Sequence, residues 1–443
     1  MKTVRLIDNK LNIPDETLKD ISELKNKLVN KTLGELEKEG VFVFPEGTKD
    51  IDDLDHSQMI LQKINGTYQT SNVMGFLGFG KERLIISSRF SNDGSERNDF
   101  FLQYLLSRVI NIPNLFELYT DVNRDNQILD VLVFLFPKYL KRAVRKGIFK
   151  SYVRNEYNDC DIKGNLNVAR HIKQNTPFAG NIAYSQREYS YDNDITELIR
   201  HTIEFIKRKS YGRHILGSIK DEVEKIEEVT TGFRPHNLRK VLLANKKSIL
   251  RHAYFSEYRE LQRLCIMILQ SEKQELGFGS HQVYGVLFDG AWLWEEYINI
   301  LVKDHFYHPQ NKAHSGAEQL FSGERKVGLI YPDFIGNNRA QRIIADAKYK
   351  PFNNIGGHDY LQLLAYMLRF DSKRGIYFYP ESSNNADMYL MLNEGVSHEK
   401  NVKTRVDISV IKHGFHIPND ANNYIEFSKG MEKAEKDYIS IFN

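Results

Sequence analysis

Residues 327–366 read VGLIYPDFIGNNRAQRIIADAKYKPFNNIGGHDYLQLLAY, and this stretch decides the fold of the C-terminal part of the chain. The apolar run at 327–335 and the shorter run IIA before Asp346 flank a loop of Gly, Asn and Arg, which predicts two strands joined by a turn. In the second strand, Asp346 and Lys348 are two residues apart and therefore project to the same side. Because Asp333 lies in the first run, the hairpin gathers two carboxylates and one ammonium at one place.

This combination of side chains is typical of enzymes that hydrolyse a phosphodiester with Mg²⁺, or with Mn²⁺ in its place. Hard carboxylate oxygens hold the cation and leave room for water and phosphate, while the lysine lies beside the attacking water or the charged phosphate. A surface hairpin with a salt bridge is the alternative interpretation, because a PD and DxK string also arises by chance.

Helices are predicted on both sides of the hairpin. Residues 289–306 have the apolar spacing of a helix and carry Glu295 on or beside the apolar face. A carboxylate in that position either pairs internally or serves a metal. Residues 359–370 form a second amphipathic helix, in which Gln362 and Tyr366 are one turn apart and so share a face. Their two polar ends can therefore reach one target.

The order of a helix with Glu, a strand with PD, a strand with DxK and a helix with QxxxY resembles the PD-(D/E)xK nuclease superfamily. More narrowly, LWEEYI, YPDFI, ADAKYK and QLLAY resemble the McrC-like nuclease subunits of McrBC-type restriction systems and related LlaJI-type subunits, over about residues 282–380. The family pattern places the acid directly after the aromatic residue, here Trp294, which favours Glu295 over Glu296. The resemblance implies the metal ligands Asp333, Asp346 and Glu295, the catalytic lysine Lys348, and the accessory residues Gln362 and Tyr366.

Length and composition limit the number of domains and the class of protein that the chain can be. A chain of 443 residues is too long for one hydrophobic core, so two or three domains are expected. Its 41% hydrophobic and 27% charged residues are those of an ordinary soluble protein, and a net charge of +3 does not decide for or against nucleic acid. Cys160 and Cys265 are far apart and lack metal-ligand spacing, which fits a cytoplasmic protein. We expect no membrane role, since the longest apolar run, residues 131–136, is too short to span a bilayer.

We expect a multi-domain α/β protein of the α+β kind. Its predicted domains are an N-terminal partner-binding domain with β-hairpins and helices at 1–147, a mainly helical middle domain at 148–276, and a PD-(D/E)xK nuclease domain at 277–443. A hinge that contains glycine and serine is predicted at 277–285. The glycines at 78–80 suit a tight hairpin better than a nucleotide cradle. The partner-binding role of the N-terminal part is implied by the family resemblance.

Residues 138–154, KYLKRAVRKGIFKSYVR, combine seven basic residues with three interleaved aromatic residues and no acid. Such a stripe can follow a phosphate backbone, face an acidic protein surface, or be the solvated face of a helix, and the pattern leaves all three open. The cations that we predict to contact DNA or a partner are Lys141, Arg142, Arg145 and Lys146 of this stripe, and Arg170 and Arg187, which lie in a later passage that also resembles McrC-like subunits.

The family resemblance implies an endonuclease that cleaves double-stranded DNA and stimulates a separate McrB-like AAA+ GTPase. No segment matches the phosphate-binding pattern GxxxxGK[ST], so nucleotide hydrolysis is expected in that partner. The alternatives are a stand-alone DNA nuclease without a motor, and a catalytically inert adaptor that regulates an AAA+ protein. His305, His308 and His314 lack cysteine partners and ordered spacing, which favours core or solvent histidines over a zinc site.

Overall fold

The computed structural model describes residues 2–39, 41–44, 58–91, 99–110, 127–274, 283–309, 317–323, 327–383, 386–395 and 403–442. The fold is mixed α/β, as predicted. It divides into two compact units, one formed by residues 1–121 together with 280–443 and the other by residues 122–279. The N-terminal and C-terminal parts of the chain thus share one unit.

The helices and strands are numbered along the chain. The strands are β1 (Lys2–Ile7), β2 (Phe42–Phe44), β3 (Leu61–Ile64), β4 (Thr67–Thr70), β5 (Val73–Phe79), β6 (Glu82–Ser87), β7 (Ser151–Asp159), β8 (Asn165–Leu166), β9 (Ile182–Ser190), β10 (Tyr284–Asp289), β11 (Phe306–Tyr307), β12 (Glu318–Gln319), β13 (Leu329–Ile330), β14 (Phe334–Gly336), β15 (Ile343–Ala347), β16 (Arg374–Glu381), β17 (Met388–Asn393) and β18 (Thr404–His416). The helices are α1 (Ser22–Leu28), α2 (Leu33–Glu39), α3 (Phe100–Val109), α4 (Gln127–Val144), α5 (Val168–Gln174), α6 (Asp194–Lys207), α7 (Gly212–Gly217), α8 (Lys220–Val229), α9 (Leu238–Lys247), α10 (Ser256–Gln274), α11 (Gly290–Val302), α12 (Gly357–Arg369) and α13 (Tyr424–Ile439).

The first unit contains a five-stranded sheet with the order β1-β6-β5-β10-β2. Strand β5 is antiparallel to β6 and β10, whereas β1 with β6 and β2 with β10 are parallel pairs. The tight hairpin predicted at 78–80 is confirmed as the β5–β6 connection. Apolar side chains from α1, α2 and the strands form its core, in which Leu77 and Leu287 are fully buried. A strand from the C-terminal part of the chain therefore completes the N-terminal sheet.

A second sheet of the first unit has the order β11-β14-β15-β16-β18-β17. Strands β15, β16 and β18 are parallel neighbours, and β14 is antiparallel to β15. The single strand predicted at 327–335 is in fact two strands, β13 and β14, which pair with different partners. The strand is interrupted between β13 and β14 at Pro332, which lacks the N–H that a continuous strand would donate.

The second unit combines helices α4 to α10 with a three-stranded antiparallel sheet of order β7-β9-β8. Its core is formed by helices α6 and α10, where Leu198, Ile203, Leu261 and Leu264 are fully buried. Helix α4 contains Pro137 and continues through it without a break.

Two further features of the sequence, the predicted hinge and the basic stripe, can be compared with the structure. The predicted hinge at 277–285 lies mostly outside the described residues, and its last two residues, Tyr284 and Gly285, belong to β10. The basic stripe at 138–154 is divided among the end of α4, a loop and the start of β7, so no single helix face carries it. Among the described residues, no helix is long and apolar enough to cross a membrane.

Candidate active site

The β14–β15 hairpin brings the two predicted aspartates together. Asp333 directly precedes β14, Asp346 lies within β15, and the register pairs Phe334 with Ala345. The Oδ2 atom of Asp333 accepts a hydrogen bond of 2.8 Å from the backbone N–H of Ala347. The carboxylate of one strand is therefore anchored on the backbone of the other, beside Asp346.

Lys348 completes the cluster, and its predicted position on the same side as Asp346 is confirmed. Asp346 is buried, with 2% of its surface exposed. The Nζ atom of Lys348 lies 2.6 Å from Oδ2 of Asp346 and 3.8 Å from Oδ1 of Asp359. The backbone N–H of Lys348 donates to the carbonyl oxygen of Phe378 at 2.8 Å, which holds the residue against β16.

Helix α12 supplies the predicted accessory pair. Nζ of Lys348 donates to Oε1 of Gln362 at 3.1 Å, and Nε2 of Gln362 donates to the hydroxyl of Tyr366 at 2.7 Å. The two residues meet because they are one helical turn apart. A continuous hydrogen-bonded chain thus runs from the lysine to the phenol.

Helix α11 places Glu295 at the other side of the hairpin. Its Oε1 atom lies 3.6 Å from Nε2 of His308, whose Nδ1 atom lies 2.7 Å from the carbonyl oxygen of Asp333. Glu296 instead accepts a hydrogen bond of 3.3 Å from Nε1 of Trp292 in its own helix. The geometry thus directs Glu295, rather than its neighbour, toward the aspartates.

Burial and the clustering of like charge change the acidity of these groups. Burial raises the pKa of Asp333 well above its ordinary value, and the charges of Asp346 and Glu295 raise it further. Burial also raises the pKa of Asp346, although the ammonium of Lys348 opposes this effect. For Lys348, burial lowers the pKa, but Asp346, Asp333 and Asp359 together outweigh burial and raise it. Lys348 is therefore an ammonium at neutral pH.

The two aspartates fit a magnesium site better than a closed all-protein metal site. Among the described residues, no three His, Cys, Asp or Glu side chains form a group that could hold a metal. Mg²⁺ needs only one or two carboxylates, because it keeps several waters and binds substrate phosphates. Oδ2 of Asp346 is buried and accepts no hydrogen bond of good geometry, although it lies against the lysine ammonium. Such an oxygen, next to a second carboxylate, suits a hard cation.

Sequence reasoning missed two residues of this cluster. Asp359 accepts hydrogen bonds from the ammonium of Lys350 at 2.9 Å and from the backbone N–H of Gly356 at 3.2 Å, at the start of α12. An acid in the first turn of a helix is a recognisable signal, because it complements the helix dipole. His308 has no comparable signal, since its contacts come from β11 pairing with β14.

The predicted basic residues belong to the second unit. Lys141, Arg142, Arg145 and Lys146 are exposed around the end of α4. Nζ of Lys146 lies 2.8 Å from Glu257, so this lysine has an acidic partner within the chain. Contact of these residues with DNA or with another protein stays a prediction.

The two remaining arginines have clear structural contacts. The guanidinium of Arg170 donates to the carbonyl oxygens of Tyr157 and Tyr184 at 2.5 and 2.6 Å, and it pairs with Glu156 at 2.6 Å. It therefore ties α5 to strands β7 and β9. Arg187 lies over the exposed ring of Tyr152, 4.6 Å from its centroid.

Comparison with known proteins gives a family match over most of the chain. The family described as McrBC 5-methylcytosine restriction system component matches residues 68–380. A chain in the refined half-complex from a tetradecameric assembly of Thermococcus gammatolerans McrB AAA+ hexamers with bound McrC is similar at 15% identity and a TM-score of 0.42, over 97% of this chain and 99% of that one. The cryo-EM structure of the Thermococcus gammatolerans McrBC complex is similar at 16% identity and a TM-score of 0.30, over 68% of this chain and 88% of that one. No curated protein matches the chain.

Proposed function

The chain belongs to the family of McrBC 5-methylcytosine restriction system components, and on that premise we propose that it is the McrC-like DNA endonuclease subunit of such a system. The single observation that carries this proposal is the ammonium of Lys348, held 2.6 Å from Asp346 and hydrogen-bonded to Gln362, on a hairpin that also carries Asp333. The C-terminal sheet would then be a PD-(D/E)xK core.

Asp333 and Asp346 would hold one Mg²⁺ ion, or Mn²⁺ in its place. When bound, such an ion would polarise a phosphate oxygen and supply an activated water molecule. The aspartates bring two carboxylates to a buried position, where burial and, after it, the charge of Asp346 raise the pKa of Asp333. A divalent cation would relieve this repulsion.

Lys348 acts as a charged hydrogen-bond donor in this proposal and not as a general base. Because its pKa is raised, the residue keeps its proton at neutral pH and has no lone pair to accept another. A fixed ammonium stabilises the negative charge that develops on phosphate oxygens, and burial strengthens that effect. The hydrogen bond to Gln362 holds the ammonium in place before the substrate arrives.

Tyr366 orients the amide of Gln362. Burial and the charges of Asp346 and Asp333 raise the pKa of the phenol, so it stays protonated. Its oxygen accepts a hydrogen bond from Nε2 of Gln362, which turns Oε1 of the amide toward the lysine. Substituting Tyr366 would therefore act on the reaction through the position of Lys348.

We assign nucleotide hydrolysis to a separate McrB-like AAA+ GTPase. The sequence has no GxxxxGK[ST] segment, and its nearest approach, GFLGFGKE at 75–82, lies in the β5–β6 hairpin with no helix behind it. A phosphate-binding loop needs a helix N-terminus at that position. A system that requires nucleotide-driven movement on DNA must then obtain it from another subunit.

Cleavage and GTP hydrolysis measured together test this proposal. The purified full chain is mixed with a McrB-like AAA+ GTPase from the same organism, GTP, Mg²⁺, and plasmid DNA with or without 5-methylcytosine. We expect cleavage that needs both proteins, and we expect Asp346→Ala to abolish cleavage while GTP hydrolysis is still stimulated. Asp420→Ala, which removes an exposed acid outside the cluster, is the control and should cut normally.

Each alternative function has its own outcome in this experiment. Cleavage that needs no partner would identify a stand-alone nuclease. Stimulation of GTP hydrolysis without any cleavage by the unaltered chain would identify an adaptor. Undiminished cutting by Asp346→Ala and Asp333→Ala would overturn the site itself.

A further inference from the structure

Tyr349 directly follows the lysine of the candidate site, and its side chain contacts the N-terminal part of the same unit. The residue is buried, with 4% of its surface exposed. Its ring lies edge-on to Phe90 with a centroid distance of 5.0 Å, and the guanidinium of Arg89 lies 4.9 Å from the ring centroid. A Cβ atom on Gly290, the first residue of α11, would lie 2.6 Å from the ring. The ring therefore fills a closely packed space between the end of β6 and the start of α11.

The hydroxyl of Tyr349 belongs to a hydrogen-bonded chain whose direction can be assigned. It lies 3.3 Å from Sδ of Met74 in β5, and a thioether only accepts, so the phenol donates to the sulfur. The hydroxyl of Ser88, 2.7 Å away, must then donate to the phenol oxygen. The backbone N–H of Phe90 in turn donates to Oγ of Ser88 at 3.1 Å. Each of the two hydroxyls thus donates one hydrogen bond and accepts another within a buried environment.

The same tyrosine ring packs against a buried ion pair of the N-terminal sheet. Asp8 follows β1 and Arg89 follows β6, and these two strands are a parallel pair. The guanidinium of Arg89 donates to Oδ2 of Asp8 from Nε at 2.9 Å and from Nη2 at 2.6 Å, while its backbone N–H donates to Oδ1 at 2.6 Å. Several charge-assisted hydrogen bonds to one carboxylate fix the orientation of the guanidinium. Tyr349 therefore lies against a group whose own position is fixed.

The backbone of Lys348 lies beyond the strand that precedes it. Strand β15 ends at Ala347, so the lysine is outside the regular ladder. Its N–H is bonded to the carbonyl oxygen of Phe378, but its own carbonyl oxygen accepts a hydrogen bond of 2.8 Å from the N–H of Lys350. Such a bond closes a three-residue turn with Tyr349 at its centre. The direction in which this turn leaves the strand therefore depends on where the Tyr349 side chain is held.

We propose that Tyr349 is a positioning residue of the candidate site, and that it fixes Lys348 relative to Asp346 because it is anchored on the N-terminal sheet. This inference rests on the proposed nuclease function. The ammonium of Lys348 contacts both Asp346 and Gln362, so a rotation of the turn at Tyr349 moves the charge away from both. A misplacement of about 1 Å in an active site can cost about 10²-fold in rate. The N-terminal sheet is thereby part of the catalytic apparatus.

A double-mutant cycle tests this inference in the cleavage assay with the full chain and a McrB-like GTPase. Tyr349→Leu loses the ring contacts and the hydroxyl, and we expect kcat to fall about 10²-fold while the KM for DNA is unchanged. In a Lys348→Met chain, the same substitution should lower kcat by no more than about twofold, because the lysine through which Tyr349 acts is already absent. A purely structural role would lower the folded fraction, and hence kcat, by the same factor in both backgrounds.

Two further variants accompany the cycle. Tyr349→Phe keeps the ring and removes only the hydroxyl, so its kcat should lie between those of the unaltered chain and Tyr349→Leu. If Tyr349→Leu does not fold, the cycle is made with Tyr349→Phe. Tyr424→Leu is the matched control, because Tyr424 is also 4% exposed and packs on Phe100 and Phe427 instead of on the site. We expect Tyr424→Leu to lower the melting temperature and to leave kcat unchanged.

The outcomes separate this inference from the proposed function. A folded Tyr349→Leu chain that cuts with the unaltered kcat, or an equal loss in both backgrounds, would overturn the positioning role and leave the nuclease assignment intact. Cleavage that is abolished by Asp346→Ala supports the nuclease independently of Tyr349. If the unaltered chain cuts no DNA, the proposed function fails and the positioning role fails with it.

Discussion

Lys348 illustrates how single residues of this protein are held by their neighbours. Its ammonium contacts Asp346 and Gln362, and its backbone N–H is bonded to Phe378 in the adjacent strand. The surrounding carboxylates keep the residue protonated despite its burial. The charge is therefore positioned before any substrate binds.

Replacing Lys348 with methionine should lower the cleavage rate about 10²- to 10³-fold, the usual effect of removing one preorganised donor from a charged transition state. Metal binding, measured by calorimetry without DNA, should persist because an ammonium is not a ligand. Lys348→Arg is not expected to restore cleavage, since the planar guanidinium places its charge differently.

Lys350→Met is the matched control for this prediction. Lys350 pairs with Asp359 at 2.9 Å and is more exposed than Lys348, so we expect its loss to leave most of the activity. If Lys348→Met no longer bound metal, the role assigned to the lysine would be wrong.

The two cysteines should differ sharply in reactivity. Cys160 is exposed, whereas Cys265 in α10 is fully buried, and burial raises the pKa of its thiol from 9.0 to about 12. Only the thiolate reacts with alkylating reagents. At pH 8, we therefore expect one fast-reacting thiol in the folded chain and two in urea, with the fast one lost in Cys160→Ser. Two fast thiols in the folded protein would contradict the burial of α10.

The same buried thiol predicts a loss of stability in alkali. Above pH 9.0 the unfolded chain releases the proton of Cys265, while the folded chain keeps it until about pH 12. The folded state binds more protons in that window, so its free energy of unfolding should fall as pH rises. Urea denaturation at pH 8 and pH 10.5 would show this direction, and a rise in stability would contradict it.

At the scale of elements, β10 connects the N-terminal sheet to the helix that carries Glu295. It pairs with β5 and β2 in the N-terminal sheet and leads directly into α11, which carries Glu295. Gly75 of β5 permits this pairing: its φ is +135°, and a Cβ atom there would lie 2.1 Å from the carbonyl oxygen of Val286. No other residue type fits at that position.

Gly75→Ala should therefore destabilise the protein by at least about 1–3 kcal/mol, the range for a side chain forced into a disfavoured backbone conformation, with the steric clash in addition. Gly80→Asn is the control, because Gly80 has a φ of +57° in the open β5–β6 turn, where asparagine is tolerated. Thermal denaturation of both variants decides the matter. Equal stability would mean that β10 does not approach β5 as described.

At the scale of the whole molecule, the N-terminal and C-terminal segments form one unit, and residues 122–279 form the other. The sequence analysis predicted a partner-binding domain at 1–147 that is separate from residues 277–443. Removing those residues, however, also removes β10 from between β5 and β2, together with the buried core residues Val283 and Leu287. A sheet that loses an internal strand exposes unpaired backbone and apolar surface.

A fragment of residues 1–121, which lacks β10, should consequently aggregate or lack cooperative unfolding, whereas a fragment of residues 122–279 should fold alone because it has its own helical core. Circular dichroism melts and size-exclusion chromatography of the two fragments test this. A monomeric, cooperatively melting 1–121 fragment would show that the N-terminal sheet does not depend on β10.

The sequence by itself determined those contacts of the site that follow from the two-residue repeat of a strand or from the turn of a helix. Asp346 and Lys348 meet because they are two residues apart at the end of a strand, and Gln362 and Tyr366 meet because they are one helical turn apart. The turn between the two strands could also be predicted from its Gly, Asn and Arg residues. In each case the deciding interactions lie within a few residues of one another, so the pattern is visible in the sequence.

Only the tertiary structure decided which distant segments lie together. His308 reaches Glu295 and Asp333 through the pairing of β11 with β14, and β10 joins the N-terminal sheet although the whole second unit separates them in the chain. The hydrophobic effect that drives such packing is non-directional and depends mainly on the apolar area buried. Many arrangements of the same apolar faces satisfy one sequence pattern, and the choice among them comes from the complementary packing of all faces at once.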